Sequence, residues 1–144
     1  MYCTAAQYEE LYGADERQQL TDRERTGLAD ETVYEGVEAG VRSLINDYLL
    51  APGSRVDHAS IPFSDPPDRI VQVAAAIIRY RLFGVSRSDA VKEDYKEAMD
   101  YLKQVSRGDI VPGGVAAAET ARASYGESAV VSAGQVFNRD TSFI

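Results

Sequence analysis

From Pro66 to Gly84 the chain reads PPDRIVQVAAAIIRYRLFG, its densest apolar run. At 100° per residue, Ile70, Ala74, Ile77 and Ile78 share one face, and Val71 and Leu82 widen it. Val73, Tyr80 and Phe83 carry apolar surface round the other side, leaving Asp68, Gln72 and Arg79 as a polar stripe. Pro66 and Pro67 can open a helix, and Gly84 is a natural stop. A helix apolar almost all round is a buried one. At 1.5 Å per residue it is about 27 Å long, enough for the central post of a small domain. It is too short and too charged to cross a membrane. Such a post needs other helices, or a neighbouring subunit, to cover it.

The flanking pattern supplies those helices. Thr4 with Gln7 three residues on is a capping-box spacing, so Ala5 to Tyr12 reads as a short helix stopped by Gly13. Asp15 caps a second short turn through Leu20, and Thr21 to Gly27 is a charged connection. Asp30 caps a longer helix, Glu31 to Leu50, with Val33, Val37, Val41, Leu44, Ile45 and Tyr48 on its apolar face. Beside that face run Gly36, Gly40 and Ser43, ending in Asp47, a row of small residues suited to a close helix crossing. Ala51 to Asp65 is rich in turn residues and reads as a loop with an extended piece around Ser60 to Phe63. Ser86 or Ser88 then caps a last helix to Arg107, which buries Val91, Tyr95, Ala98, Leu102 and Val105 and ends at Gly108.

The expected fold is therefore all-α. Three longer helices and short N-terminal ones form a small bundle over residues 1–108, with the Pro67–Phe83 helix in the middle. Residues 109–144 read as a flexible or extended arm rooted at Pro112-Gly113-Gly114. Val115 to Ser124 has little to bury, and Ser128 to Phe137 has the composition of a strand. A lone strand needs a partner's edge.

Charge sharpens the picture. The chain carries −8 over 144 residues. Its first fifty hold four basic residues against eleven acidic ones, while the remainder is nearly balanced. Such a surface repels phosphate and excludes nucleic-acid binding by counterion release. It suits either a solvated face that keeps the protein soluble or a surface that faces DNA without sticking to it. With one cysteine and one histidine, neither a disulfide framework nor a zinc site is expected, and no cofactor motif is present. The opening Met1-Tyr2-Cys3-Thr4 has no signal-peptide character, which predicts a cytoplasmic origin. His58 beside Asp57 reads as a surface histidine, and Cys3 has no basic neighbour to activate it. No pair of carboxylates is singled out for acid–base work, so an enzyme is not expected. Arg81 departs from pattern by falling among Ile70, Ala74 and Ile77; pairing with Asp94 or Asp47 is the expected remedy.

Several segments together carry a family resemblance. They are the Met-Tyr-Cys-Thr opening, the helix ending Asp47-Tyr48-Leu49, and the run Ile78-Arg79-Tyr80-Arg81-Leu82-Phe83-Gly84. Tyr95-Lys96-Glu97-Ala98 and the tail Val136-Phe137-Asn138-Arg139-Asp140 complete the set. In this order the chain resembles the Mu-like phage neck family, small head–tail connector or head-completion proteins. The resemblance implies a virion protein at the head–tail junction, forming a homo-oligomeric, twelve-fold ring beneath the portal. Its partners would be the portal protein and the adjacent neck or tail protein, with genomic DNA passing through unbound. On that reading Val131, Val136, Phe137, Arg139, Asp140 and Phe143 form the portal- or subunit-binding arm, and Glu9, Glu10, Glu35 and Glu38 are channel-facing acids. The alternatives are another ring component such as a tail terminator, or a small cytoplasmic interaction module or enzyme of unrecognised type.

Overall fold

A computed structural model describes residues 1–113. Among these residues it contains five α-helices and no strand: α1 Ala5–Tyr12, α2 Ala14–Thr21, α3 Glu31–Leu49, α4 Asp68–Phe83 and α5 Asp89–Ser106. Four of the five helices start where the sequence places them; α2 differs, because it follows α1 directly through Gly13 with no side-chain cap, and Asp15 lies inside its first turn instead of capping it. Thr4 and Gln7 close a reciprocal capping box, Asp30 accepts from the amides of Thr32 and Val33, and Ser88 accepts from that of Val91. Pro67 precedes α4, and Gly84 ends it with φ +58, a backbone that side chains other than glycine's disfavour.

Helix α4 is the post of the bundle. It lies between α3 and α5, which also touch each other, while α1 and α2 cover its remaining side. Nine of its sixteen residues are buried, among them Ile70, Ile77 and Ile78 with no exposed surface. Helix α5 buries Val91, Ala98, Leu102 and Val105. Tyr95 is half-buried and stacks on Tyr80 with ring centroids 3.7 Å apart.

Helix α3 departs from the expected register. Its buried residues are Tyr34, Glu38, Val41, Ile45 and Leu49, whereas Val33, Val37, Leu44 and Tyr48 sit half-buried at the edge. The buried stripe is thus rotated by about 60° from the purely aliphatic face. The covering surface causes this. Tyr2, Cys3 and Tyr8 lie fully buried against that side, the Tyr34 hydroxyl donates to the Cys3 carbonyl at 2.8 Å, and the Tyr8 and Tyr34 rings meet at 5.7 Å. The rotation turns Gly36, Gly40 and Ser43 away from the core. No helix of the described residues crosses them; the space above Gly36 is open, and Gly40 faces the Arg81 guanidinium alone.

The 51–65 loop is anchored at both ends. A Cβ on Gly53 would lie 2.8 Å from the Ser106 carbonyl, and one on Gly108 (φ +82) would lie 2.7 Å from the Gly53 carbonyl. Only glycine permits that interlock of loop and α5 C-terminus. Arg55 Nε donates to the Gly108 carbonyl at 2.8 Å, Ile110 packs on the core, and Pro112 is buried. Residues 109–112 therefore stay on the bundle instead of leaving at Gly108. At the loop's far end the Phe63 amide donates to the Tyr2 hydroxyl, which itself donates to Asn46 Oδ1.

Candidate interaction surface

The strongest side-chain chemistry holds the two N-terminal helices to the bundle. Arg79 donates through Nε and Nη2 to both oxygens of Glu16, each at 2.9 Å, and Nη1 reaches Asp94 at 3.8 Å. Its guanidinium lies 4.3 Å from the Tyr12 ring centroid, and Tyr8 donates its hydroxyl to Glu16 at 2.9 Å. One side chain of α4 thereby ties α1, α2 and α5. Burial lowers the Arg79 pKa, but the hydrogen bond and charge of Glu16 outweigh it, so the net shift is upward. A second knot surrounds Arg17, which is buried. Its Nε donates to Glu9 at 2.6 Å, and its Nη1 stands 2.8 Å from Glu31, off the line of a hydrogen bond. Burial pushes the hydroxyls of Tyr8 and Tyr34 well above the ordinary tyrosine range, as it raises the Cys3 thiol.

Arg81 is corrected by this geometry. It is exposed and lies within ion-pair distance of neither Asp94 nor Asp47; Asp94 belongs to Arg79. The absence of a Cβ at Gly40 is what lets the guanidinium lean out over α3, since one there would stand 3.0 Å from Nη1. Asp47 is exposed and lines a shallow cleft with Tyr48, Ala51 and Ser106.

The four candidate acids separate. Glu10 and Glu35 are exposed. Glu9 is half-buried and committed to Arg17. Glu38 cannot face a channel: it is 1% exposed, accepts the Tyr2 amide at 2.8 Å and lies 3.6 Å from Arg42. The arm residues Val131, Val136, Phe137, Arg139, Asp140 and Phe143 lie outside the described residues. His58 is exposed in its loop, and Cys3 is packed in the core. Sequence reasoning missed Arg17, Glu16 and Arg79 as a network. A polar stripe along α4 gave no sign that α1 and α2 would cover its C-terminal part.

Among the described residues no cluster of potential ligands could hold a metal ion, and no helix is long and apolar enough to cross a membrane. What the geometry defines is a small helical domain whose inward charges are spent on its own packing and whose outer face is open and largely acidic. The chain belongs to the family described as Bacteriophage Mu, Gp36, which it matches over residues 2–131, and is thus a Mu-type phage protein. No curated protein and no solved structure matches it.

Proposed function

We propose that this protein is a structural component of the virion neck, a connector that docks on the portal, extends the DNA channel and offers the tail an attachment surface. Membership of the Mu phage family over residues 2–131 is the observation that carries the reading. The outward chemistry supports it. Exposed acids such as Glu10 and Glu35 let duplex DNA pass without sticking, and Gly36 and Ser43, exposed on either side of Gly40 and its Arg81 cover, leave stretches of α3 that neighbours can approach. In this role the protein acts without a cofactor and without catalysis, as copies arranged in a ring, twelve-fold to match a portal. The segment beyond Gly113 carries Val131, Val136 and Phe137 to the portal or the adjacent subunit, where Arg139 and Asp140 orient it and Phe143 closes the contact.

Cryo-electron microscopy of purified particles tests the proposal. The expected map has density for α1–α5 between portal and tail, in a closed ring. Density at the tail's far end, or none in the particle, overturns it.

A further inference from the structure

Among the described residues, the corner between α4 and α5 ends in a fully exposed side chain. Val85 is 103% exposed, yet the backbone that presents it is held firmly. Arg87 Nε donates to the Tyr80 carbonyl at 2.7 Å, its guanidinium sits 3.7 Å from the Tyr80 ring centroid, and Tyr80 stacks on Tyr95 with 13° between planes. An apolar knob fixed in advance loses little freedom on binding.

A single exposed valine is ordinary. The charge around this one and the surface at the other end of the bundle make it informative. Helices α4 and α5 run antiparallel, so the α5 C-terminus lies about 27 Å from the corner. Helix α3 ends there too, and Tyr48, Ala51 and Ser106 form a shallow cleft of about 260 Å3 with Asp47 at its rim. The last turn of α3 carries no basic side chain, so its carbonyl end adds negative character to that of Asp47. Arg107, next to Ser106, is engaged by Asp109 at 3.3 Å. The knob leans to the opposite sign: exposed Arg81 lies one turn before Val85 and Arg87 follows it, two cations against the one acid Asp89 that opens α5.

We propose that Val85 of one copy seats in the Tyr48–Ala51–Ser106 cleft of a second copy, with Arg81 of the first facing Asp47 of the second. Because Val85 and the cleft lie at opposite ends of the α4–α5 pair and are different surfaces, the contact is heterologous and each copy offers both halves. It repeats from copy to copy, and its closure into a ring rests on the neck reading. Val85 is the anchor; the rest of a stable interface, roughly 800 Å2 per partner, comes from the surfaces beside it.

Sedimentation of the full chain, with crosslinking, tests this. The protein should self-associate, and Val85→Asp should weaken association at least tenfold with helicity unchanged, because the valine is fully exposed among the described residues. Arg81→Asp should weaken it as well, and adding Asp47→Arg should restore it. Val85→Cys combined with Ala51→Cys should give, with a short bismaleimide, a ladder beyond dimer that neither single variant gives. A chain monomeric at all concentrations, association indifferent to Val85→Asp, or a double variant that stops at dimer overturns the contact. A ring seen in the neck with this contact absent would leave the neck reading intact and sink the contact alone. Self-association through Val85 by a chain missing from the neck would do the reverse.

Discussion

Two arginines of α4, two residues apart, should behave as opposites when truncated. Arg79 and its partner Glu16 each retain 20% of their side-chain exposure and share two hydrogen bonds at 2.9 Å. Removing one member of a fully buried pair costs about 3–5 kcal/mol, and of an exposed pair about 0–1 kcal/mol. A pair at this depth falls between, near 2 kcal/mol by interpolation between those limits. The Tyr12 ring adds roughly 0.5–1 kcal/mol, giving about 3 kcal/mol for Arg79→Ala. For a domain of this size that is a fall in Tm of about 12 °C. Arg81→Ala removes an exposed side chain that no acid of α3 or α5 holds, and should stay within about 0.5 kcal/mol. Urea unfolding followed by circular dichroism measures both, and a double-mutant cycle of Arg79→Met with Glu16→Gln should show coupling of about 1.5–3 kcal/mol. Equal costs for the two arginines, or a larger one at Arg81, would refute the assignment of Arg79 as the tie between α4 and the N-terminal helices.

Other consequences are more direct. Ile77 has no exposed surface, so Ile77→Ala should cost about 2–5 kcal/mol in the same unfolding assay; a change below about 0.5 kcal/mol would mean that this face of α4 is uncovered. Tyr8 and Tyr34 are held protonated by burial in the folded state, whereas in the unfolded chain they ionise near pH 10. The folded state then binds more protons, so stability is intact below about pH 10 and falls as pH rises beyond it. Tyrosinate absorbance should accordingly rise together with loss of helicity, and ionisation of all nine tyrosines while the helices persist would contradict it. Truncation after Gly113 should leave helicity and Tm unchanged but yield DNA-filled heads without tails. A truncated chain that unfolds would place the missing segment in the core and end the docking-arm reading.

What the sequence made legible was local. Thr4 with Gln7, Asp30, Pro67 with Gly84, and Ser88 fix where helices begin and end through atoms a few residues away, and those limits hold to within a residue or two. The face of α3 failed because its cover is remote: Tyr2, Cys3 and Tyr8 reach back some thirty residues and favour Tyr34 over Val33. Glu38 was misjudged for the same reason, since its partner is a backbone amide near the chain start. At Arg81 a helical wheel assigned the residue to the apolar side correctly in angle. It missed that Arg81 is exposed while Leu82 beside it is buried, and that Gly40 leaves room for the guanidinium. The wheel put Arg79 in solvent, where two short helices instead close over it.

The same placement bears on the proposed contact between copies of this chain. Glu9, Glu16 and Glu38 are answered within the domain by Arg17, Arg79 and Arg42. Glu10, Asp15, Glu24, Glu35 and Asp47 remain exposed, so the outer face stays acidic after the inward pairs are discounted. Copies brought side by side therefore repel at long range, and a contact such as Arg81 against Asp47 attracts only at short range. Salt acts differently on the two. Raising ionic strength from about 10 mM to about 150 mM shortens the screening length from roughly 30 Å to roughly 8 Å, which removes the repulsion between whole domains but spares a partly desolvated pair at contact. Self-association should strengthen across that interval, and sedimentation equilibrium can follow it. Steady weakening over the same range would mean that attraction between separated charges, and not a seated apolar anchor with a close ion pair, holds the copies together.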